Sequence, residues 1–232
     1  MEAKDKKEKK KNQGVKRALS PSEVLLSKKK VLEFTGAWRD AFGTPEAHGV
    51  WFIWGGSGNG KTSFVVQLCK ELTKFGKVAF DSLEEGVSLS MQNTLRRFQM
   101  ADVNRRLLML DCEPIEVLSE RLEKRKSPDF IVIDSYQYTQ MTYRAYLRFK
   151  EANRRKLLIF VSHADGGSPS GRSAKSVMYD SSLKIWVEGY RAFSKGRFIG
   201  ETGIYTIWEE GARWYDGDMA LRKNKTKQKN TI

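Results

Sequence analysis

The chain has 232 residues, 42 Lys and Arg against 28 Asp and Glu, and a net charge of +14; that length carries one domain with a sizeable core. Two cysteines without a CxxC pair and two histidines exclude a zinc finger, and no apolar run approaches membrane length. Residues 1–30 hold eleven basic and four acidic residues, residues 221–232 hold five basic and no acidic ones, and the 190 between carry only +2.

Basic ends suit a polyanion such as DNA or RNA. They suit disordered, solubilising tails equally well. The N-terminus lacks the apolar segment of a secretory signal, which predicts a cytoplasmic protein without a membrane partner. Cys69 and Cys112 then read as apolar fillers in a reducing compartment.

In chain order, residues 1–20 are lysine-rich, poor in apolar groups and predicted to be disordered. Ser20-Pro21-Ser22-Glu23 spells a helix start, with Ser20 as cap, Pro21 in the first turn and Glu23 at the capping-box distance. Leu32 to His48 is an approach segment. Its Phe34, Trp38 and Phe42 cover the core or contact a nucleotide base, and core cover is the preferred reading.

Val50 to Trp54 is a short apolar run that reads as a buried strand. The stretch Gly55-Gly56-Ser57-Gly58-Asn59-Gly60-Lys61-Thr62-Ser63 then carries the full P-loop pattern. Small residues let successive backbone N–H groups fold around a phosphate, and the helix that follows adds its positive N-terminal end. In this pattern Lys61 reaches the β- and γ-phosphates of ATP, and Thr62 places a hydroxyl on Mg²⁺. Ser63 to Thr73 supplies the helix, with Phe64, Val65, Leu68 and Leu72 on one side.

Lys77 to Phe80 predicts a second strand, followed by Asp81-Ser82-Leu83-Glu84-Glu85-Gly86. Glu84 or Glu85 is placed to orient or deprotonate an attacking water; the pair also reads as the acidic first turn of the next helix. Leu89 to Met100 predicts a helix, Leu107 to Leu110 a strand, and Pro114 to Arg125 a helix on the spacing of Ile115, Leu118 and Leu122. Phe130 to Ile133 is a buried strand ending in Asp134, whose carboxylate lies near a P-loop in this architecture and can hold Mg²⁺ directly or through water.

Thr142 to Arg155 predicts a charged amphipathic helix, and Leu157 to Val161 a strand ending at Ser162-His163. His163 either feels the γ-phosphate and passes its state onward, or caps a loop. Ala164 to Lys175 reads as a long mobile loop with Arg172 and Lys175 at its end. It either wraps a nucleic-acid backbone or closes over nucleotide. Lys184 to Val187 and Ile204 to Trp208 predict late strands, with Lys195-Gly196-Arg197 between them. Lys195 and Arg197 reach phosphates of their own nucleotide, reach a neighbour's, or form a solvated basic turn. Strands alternating with helices predict an α/β fold, a central mostly parallel sheet flanked by helices, with antiparallel strands near the C-terminus.

The order of these features resembles the RecA-like P-loop NTPase superfamily, closest to the RadA/Sms branch and its core-only phage and mobile-element relatives. Phe80 to Gly86 with Gln92 and Arg96 is similar to that branch's strand-Ser-x-Glu-Glu segment and following helix. Pro114-Ile115-Glu116 and Pro128-Asp129 lead into Val132-Ile133-Asp134-Ser135-Tyr136-Gln137, like its Walker B segment. Lys195-Gly196-Arg197-Phe198 resembles its Lys-Asn-Arg-Phe-Gly motif, with Gly196 for Asn and Ile199 for the final Gly. Glu201 to Tyr205 follows in similar register. The branch's four-cysteine zinc motif and protease-like domain have no counterpart here.

The resemblance implies Lys61 and Thr62 on phosphate and Mg²⁺, Asp134 on Mg²⁺, and Glu84 or Glu85 as activator of water. It implies that His163 couples nucleotide to DNA, and that Lys195 and Arg197 act across a subunit boundary. Tyr136 to Thr142 and Ala164 to Lys175 become DNA loops, with Tyr136, Gln137, Arg172 and Lys175 as nucleic-acid contacts. The expected domain plan is a basic, largely disordered tail over 1–30, the ATPase domain over 31–220 and a basic, disordered tail over 221–232. The expected function is an ATP-dependent motor or recombinase-like ATPase, a hexameric ring or filament on single-stranded DNA in recombination or replication. The alternative is a partner-regulated switch or loader for a replication or transposition complex, and a more distant one a small-molecule kinase.

Overall fold

A computed structural model describes residues 17–229, with the backbone alone over 221–229. The disorder expected over residues 1–16 lies outside the described residues. Nine strands form one sheet in the order β3-β2-β4-β5-β1-β7-β8-β9, with β6 paired to β5 at its end. The ranges are β1 Gly49–Gly55, β2 Val78–Ser82, β3 Leu107–Asp111, β4 Phe130–Asp134, β5 Leu157–Asp165, β6 Ser168–Pro169, β7 Leu183–Glu188, β8 Arg191–Gly196 and β9 Ile204–Thr206. β1 to β5 and β7 run parallel, β8 is antiparallel to β7, and β9 is antiparallel to β8. The mostly parallel sheet with late antiparallel strands is a RecA-like architecture.

Helices cover both faces, so the central strands are apolar on both sides. Trp51 and Ile53 of β1 join one core with Phe64, Val65 and Leu68 of α3 (Lys61–Leu72). Ala41 and Phe42 of α2 (Gly36–Phe42) and Met91 of α4 (Leu89–Arg97) complete that side. Val50, Phe52 and Trp54 point the other way. They pack with Leu118 and Leu122 of α5 (Ile115–Glu123), Tyr146 and Phe149 of α6 (Tyr143–Ala152), and Ala174 and Val177 of α7 (Arg172–Asp180). The alternation along β1 follows from the two-residue period of a strand.

α1 (Pro21–Leu26) carries the full capping box expected of Ser20 and Glu23. Trp38 stacks on Tyr205 with ring centroids 4.1 Å apart, and Phe34 and Phe42 are buried. The three aromatics of the approach segment are therefore core cover. α8 (Glu209–Lys229) continues its backbone helix through residues 221–229, within the span expected as a tail.

Three expectations change. The mobile loop over Ala164 to Lys175 is instead ordered structure. β5 extends to Asp165, turns tightly into β6, and α7 begins at Arg172. Two hydrogen bonds hold the turn, from Ser170 N to His163 O at 2.9 Å and from Trp54 Nε1 to Gly167 O at 3.1 Å. Lys195 and Gly196 belong to β8 rather than to a turn between strands. Tyr136 is only 3 % exposed, its ring set edge-on to Phe52 and Phe160, so it packs the core and offers no face to a base.

Gly55 has a steric reason to be glycine. A Cβ there would lie 2.2 Å from the Val187 carbonyl oxygen, because β7 runs against the end of β1. Gly55→Ala is expected to cost about 1–3 kcal/mol by urea unfolding. Gly167→Ala, with nothing within 4 Å of its added carbon, should leave the midpoint in place.

Candidate active site

The P-loop joins β1 to α3. Gly58 and Gly60 take φ of 73° and 91°, the left-handed region that glycine enters without steric cost. Asn59 holds the loop from both ends of its amide: its Nδ2 donates to Ser57 O at 3.2 Å, and its Oδ1 accepts from Gly189 N at 2.8 Å. The Lys61 ammonium donates to Gly56 O at 2.9 Å. The first turn of α3 aims its unpaired N–H groups at the loop, a ready seat for phosphate.

The opposite wall comes from three strand tips. Asp134 ends β4 in register with Ser82 of β2, and His163 of β5 lies in register with Gly55. The N–H groups of Leu83 and Glu84 both donate to the Asp134 carbonyl, at 2.6 and 3.2 Å. This folds the segment after β2 over the tip of β4. Glu84 Oε2 then meets His163 Nε2 at 3.0 Å. The resulting cleft is about 330 Å³, and Ser57, Lys61, Thr62, Glu84, Asp134 and Tyr190 are among its lining residues.

Its electrostatics are one-sided. Lys61 is the one Lys or Arg of the lining, against the carboxylates of Glu84, Glu85 and Asp134. Burial pushes the Asp134 carboxyl up to about 7, Glu84 and Glu85 push the same way, and Lys61 pulls it back. Burial also lowers Lys61, while Asp134 and Glu84 oppose that shift. The donor set suits Mg²⁺: a hydroxyl and a carboxylate are hard oxygen ligands, and this ion keeps waters and takes substrate phosphates. Among the described residues no group of three or more His, Cys, Asp or Glu forms a self-sufficient metal site.

The structure thus gathers Lys61, Thr62, Ser63, Glu84, Glu85, Asp134 and His163 around one cleft. It does not bring Lys195 and Arg197 there. In register Val187 faces Ala192 beside Gly55, whereas Leu183 faces Gly196 at the other end of β7. Arg197 N donates to Ser182 O at that far end, so the basic pair cannot serve its own chain's nucleotide. Gln137 sits behind the cleft, donating to Ser162 Oγ at 2.8 Å and Ser170 O at 3.0 Å and accepting from His163 N at 3.3 Å. Arg172 and Lys175 are exposed on α7.

One aromatic residue of the cleft lining, Tyr190, has no signal in the sequence as a site residue, and two tryptophans extend from it. Tyr190 takes φ of 57° in the turn between β7 and β8 and lies against Gly60. Its ring meets Trp208 edge-on at 5.2 Å, and Trp208 meets Trp214, 66 % exposed, at 5.1 Å. The β7–β8 hairpin brings Tyr190 to the P-loop, and Trp208 and Trp214 reach it from the N-terminal end of α8.

No family model matches the chain, and no curated protein is significantly similar to it. The fold is similar to that of the flagellar accessory protein FlaH from Methanocaldococcus jannaschii, with a TM-score of 0.51 and 13 % identity over 77 % of this chain and 92 % of that one. At this identity the likeness shows the fold alone, a mostly parallel α/β sheet flanked by helices with antiparallel strands near the C-terminus.

A raised carboxyl gives a signed pH dependence. Asp134 holds its proton more tightly in the fold than in the unfolded chain, so this contribution to stability is lost as pH rises through about 7. A bound cation needs the ionised form. Affinity for Mg²⁺–ATP should therefore climb between about pH 6 and about pH 8, by up to about tenfold per unit on the acid side. Asp134→Asn should flatten this profile in a fluorescent-nucleotide titration. Asp81, buried and raised to about 6 on the other sheet face, is the control, and Asp81→Asn should leave the slope intact.

Proposed function

We propose that the chain binds ATP with Mg²⁺, hydrolyses it, and works as a partner-controlled switch. The observation that carries this reading is the cleft itself. Phosphate-binding loop, lysine, strand-tip aspartate and an acid–histidine pair converge on one space, with a single fixed cation among the residues that line it. A triphosphate transition state needs more positive charge than Lys61 supplies. The site of one chain is half of a working site.

The N–H groups of residues 56 to 62 enclose the phosphates, and Lys61 leaves Gly56 O to reach the β- and γ-oxygens. Thr62 and Asp134 would hold Mg²⁺, which neutralises phosphate charge when bound. Glu84 accepts the proton of the attacking water. His163, hydrogen-bonded to Glu84, positions that carboxylate and registers departure of the γ-phosphate. Gln137 carries the change to the segment between β6 and α7, through its bonds to His163 N and Ser170 O. Lys195 and Arg197 stand at the opposite end of the sheet, exposed, where they meet a neighbouring copy's nucleotide in an assembly. FlaH is a flagellar accessory protein, which supports a role inside a larger machine rather than a free-standing enzyme. The ATPase domain spans residues 31–220 and acts in the cytoplasm; no helix among the described residues is long and apolar enough to cross a membrane.

One observation favours the single-stranded DNA reading as a second possibility. Arg172 and Lys175 are exposed at the start of α7, immediately after the turn that Gln137 grips. DNA bound there would feel the nucleotide state. Phosphate release decides between the two. Stimulation by single-stranded DNA alone supports the motor, and stimulation by a protein partner alone supports the switch.

Lys61→Ala should remove Mg²⁺–ATP binding. Glu84→Gln should keep binding and lose about 10²-fold or more in single-turnover hydrolysis. Glu85→Gln should hydrolyse normally, and the reverse pattern would move the base to Glu85. Lys195→Ala/Arg197→Ala subunits mixed with Lys61→Ala subunits should regain part of the wild-type rate. A mixture that assembles and stays inactive would remove the basic pair from a neighbour's site.

A further inference from the structure

Charge is sorted along the sheet. The turns at residues 74–77, 104–106, 124–129 and 153–156 enter β2, β3, β4 and β5, and together they hold ten Lys or Arg and one acid, Asp129. The far tips of the same strands, with the segments that follow at 82–88, 111–114, 134–142 and 165–171, hold six acids and no Lys or Arg. The four strands are neighbours in the order β3-β2-β4-β5, and Val78, Leu107, Phe130 and Leu157 start them in register. The near-neutral body therefore has an acidic end at the nucleotide cleft and a basic end opposite it. The row stops at the entry to β1, which holds Glu46 and His48.

The helix dipole favours a cation within the last turn of a helix, but all ten lie past the last helical residue. Lys74 and Arg154 pair with Glu71 and Glu151. Lys77, Arg105, Lys124, Arg125, Lys126 and Arg155 are exposed and without an ion pair among the described residues. Other contacts brace the turns. Arg106 Nη1 donates to Thr73 O at 2.8 Å, Lys156 Nζ to Ser127 Oγ and Pro128 O at 2.8 and 2.7 Å, and Lys77 N to Asp129 Oδ2 at 3.1 Å. Like charges held together destabilise a fold, so a braced cluster of them points to an anion that offsets them.

The cations leave the sheet from both of its faces. The turns into β2 and β3 follow α3 and the single helical turn Met100–Val103 on one face, and those into β4 and β5 follow α5 and α6 on the other. Between the two rows lies a hollow of about 420 Å³, lined by Lys77 and Arg106 from one side and by Lys126, Ser127 and Asp129 from the other. The large apolar side chains exposed among the described residues lie elsewhere. This face thus has no anchor for a lipid surface, nor the apolar centre of a protein interface. Five of the ten cations are arginine, whose planar fork matches phosphate oxygens. Two rows across a hollow suit two phosphate backbones across a groove.

We infer that the basic end binds the paired backbones of a nucleic-acid duplex, through phosphate contacts and without base readout. The acidic end keeps the duplex from the cleft, so this contact is separate from the nucleotide site and from Arg172 and Lys175 on α7. It needs no nucleotide and does not rest on the proposed function.

The test is fluorescence anisotropy of a short labelled DNA duplex with the full chain, without ATP, across a salt series. Lys77→Glu/Lys126→Glu should weaken binding about tenfold or more and lower the slope of log affinity against log salt by about two. Arg105→Gln/Arg155→Gln, a milder change at the same end, should lower the slope likewise. Lys28→Glu/Lys29→Glu makes the same change in net charge as the first variant, on the arm, and should lower the slope less. All three alter exposed side chains and should keep the wild-type urea midpoint. Equal losses in the two Lys→Glu variants would show that binding follows net charge alone and would overturn the inference. So would undiminished affinity in both variants of the basic end, a loss confined to Arg172→Ala/Lys175→Ala, or tighter binding to a single strand, polyglutamate or anionic vesicles. Loss of ATP binding in wild type would instead strike the proposed function and leave duplex binding standing.

Discussion

The site depends on one backbone contact, the Asp134 carbonyl accepting from the N–H groups of Leu83 and Glu84. It pins the segment after β2 across the tip of β4. Without it, Glu84 and Glu85 would sit on a free turn, with no reason to face Lys61. With it, three carboxylates share a partly desolvated space with one ammonium. Burial, with the charges of Glu84 and Glu85 adding to it, raises the Asp134 carboxyl, and the cleft is short of positive charge. In the proposed function a nucleotide carrying its metal would relieve the crowding, because the cation would bring the charge that the protein leaves out.

The two sheet faces divide the labour. Even and odd residues of β1, β4 and β5 send alternate side chains to the α3 side and the α5–α7 side. Asp134 and Phe80 belong to the first side, and Tyr136 and Asp81 to the second. Gln137 spans the boundary, touching both the end of β5 and the segment between β6 and α7. A change at His163 therefore has a hydrogen-bonded route to α7. On the same side Tyr136 Oη and Ser173 Oγ meet at 2.7 Å, tying the segment after β4 to the first turn of α7.

The late antiparallel strands close the other side of the P-loop. Gly189 sits where a Cβ would fall 2.4 Å from the ring of Tyr215, so the start of α8 presses directly on the β7–β8 turn. Arg191 and Asp216 form a two-point ion pair beside it, at 2.9 and 2.6 Å. These contacts fix Tyr190 over Gly60 and hold Trp208 against it. An exposed aromatic row at the mouth of a phosphate site is suited to a flat ring, and its position follows from the hairpin rather than from the P-loop itself.

Much of this was legible in residues close together in the chain. The P-loop spelling, the apolar run ending in Asp134 and the capping box at Ser20 are local statements, and local backbone chemistry enforces them. The central strands could be read because burial on both faces makes them uniformly apolar. The stretch from Ala164 to Lys175 was misread because glycine and serine signal a loop by composition, while its order comes from distant partners, Trp54 and Gln137. The Lys195–Arg197 pair was visible as a motif, but strand register alone put it at the far end of β7. The sequence by itself determined the P-loop spelling, the aspartate at the tip of β4 and the class of fold, since each is written in contiguous residues. Tertiary structure alone decided which acid meets His163, which aromatics guard the cleft and which basic residues lie beyond its reach, because those depend on how separate strands end beside one another.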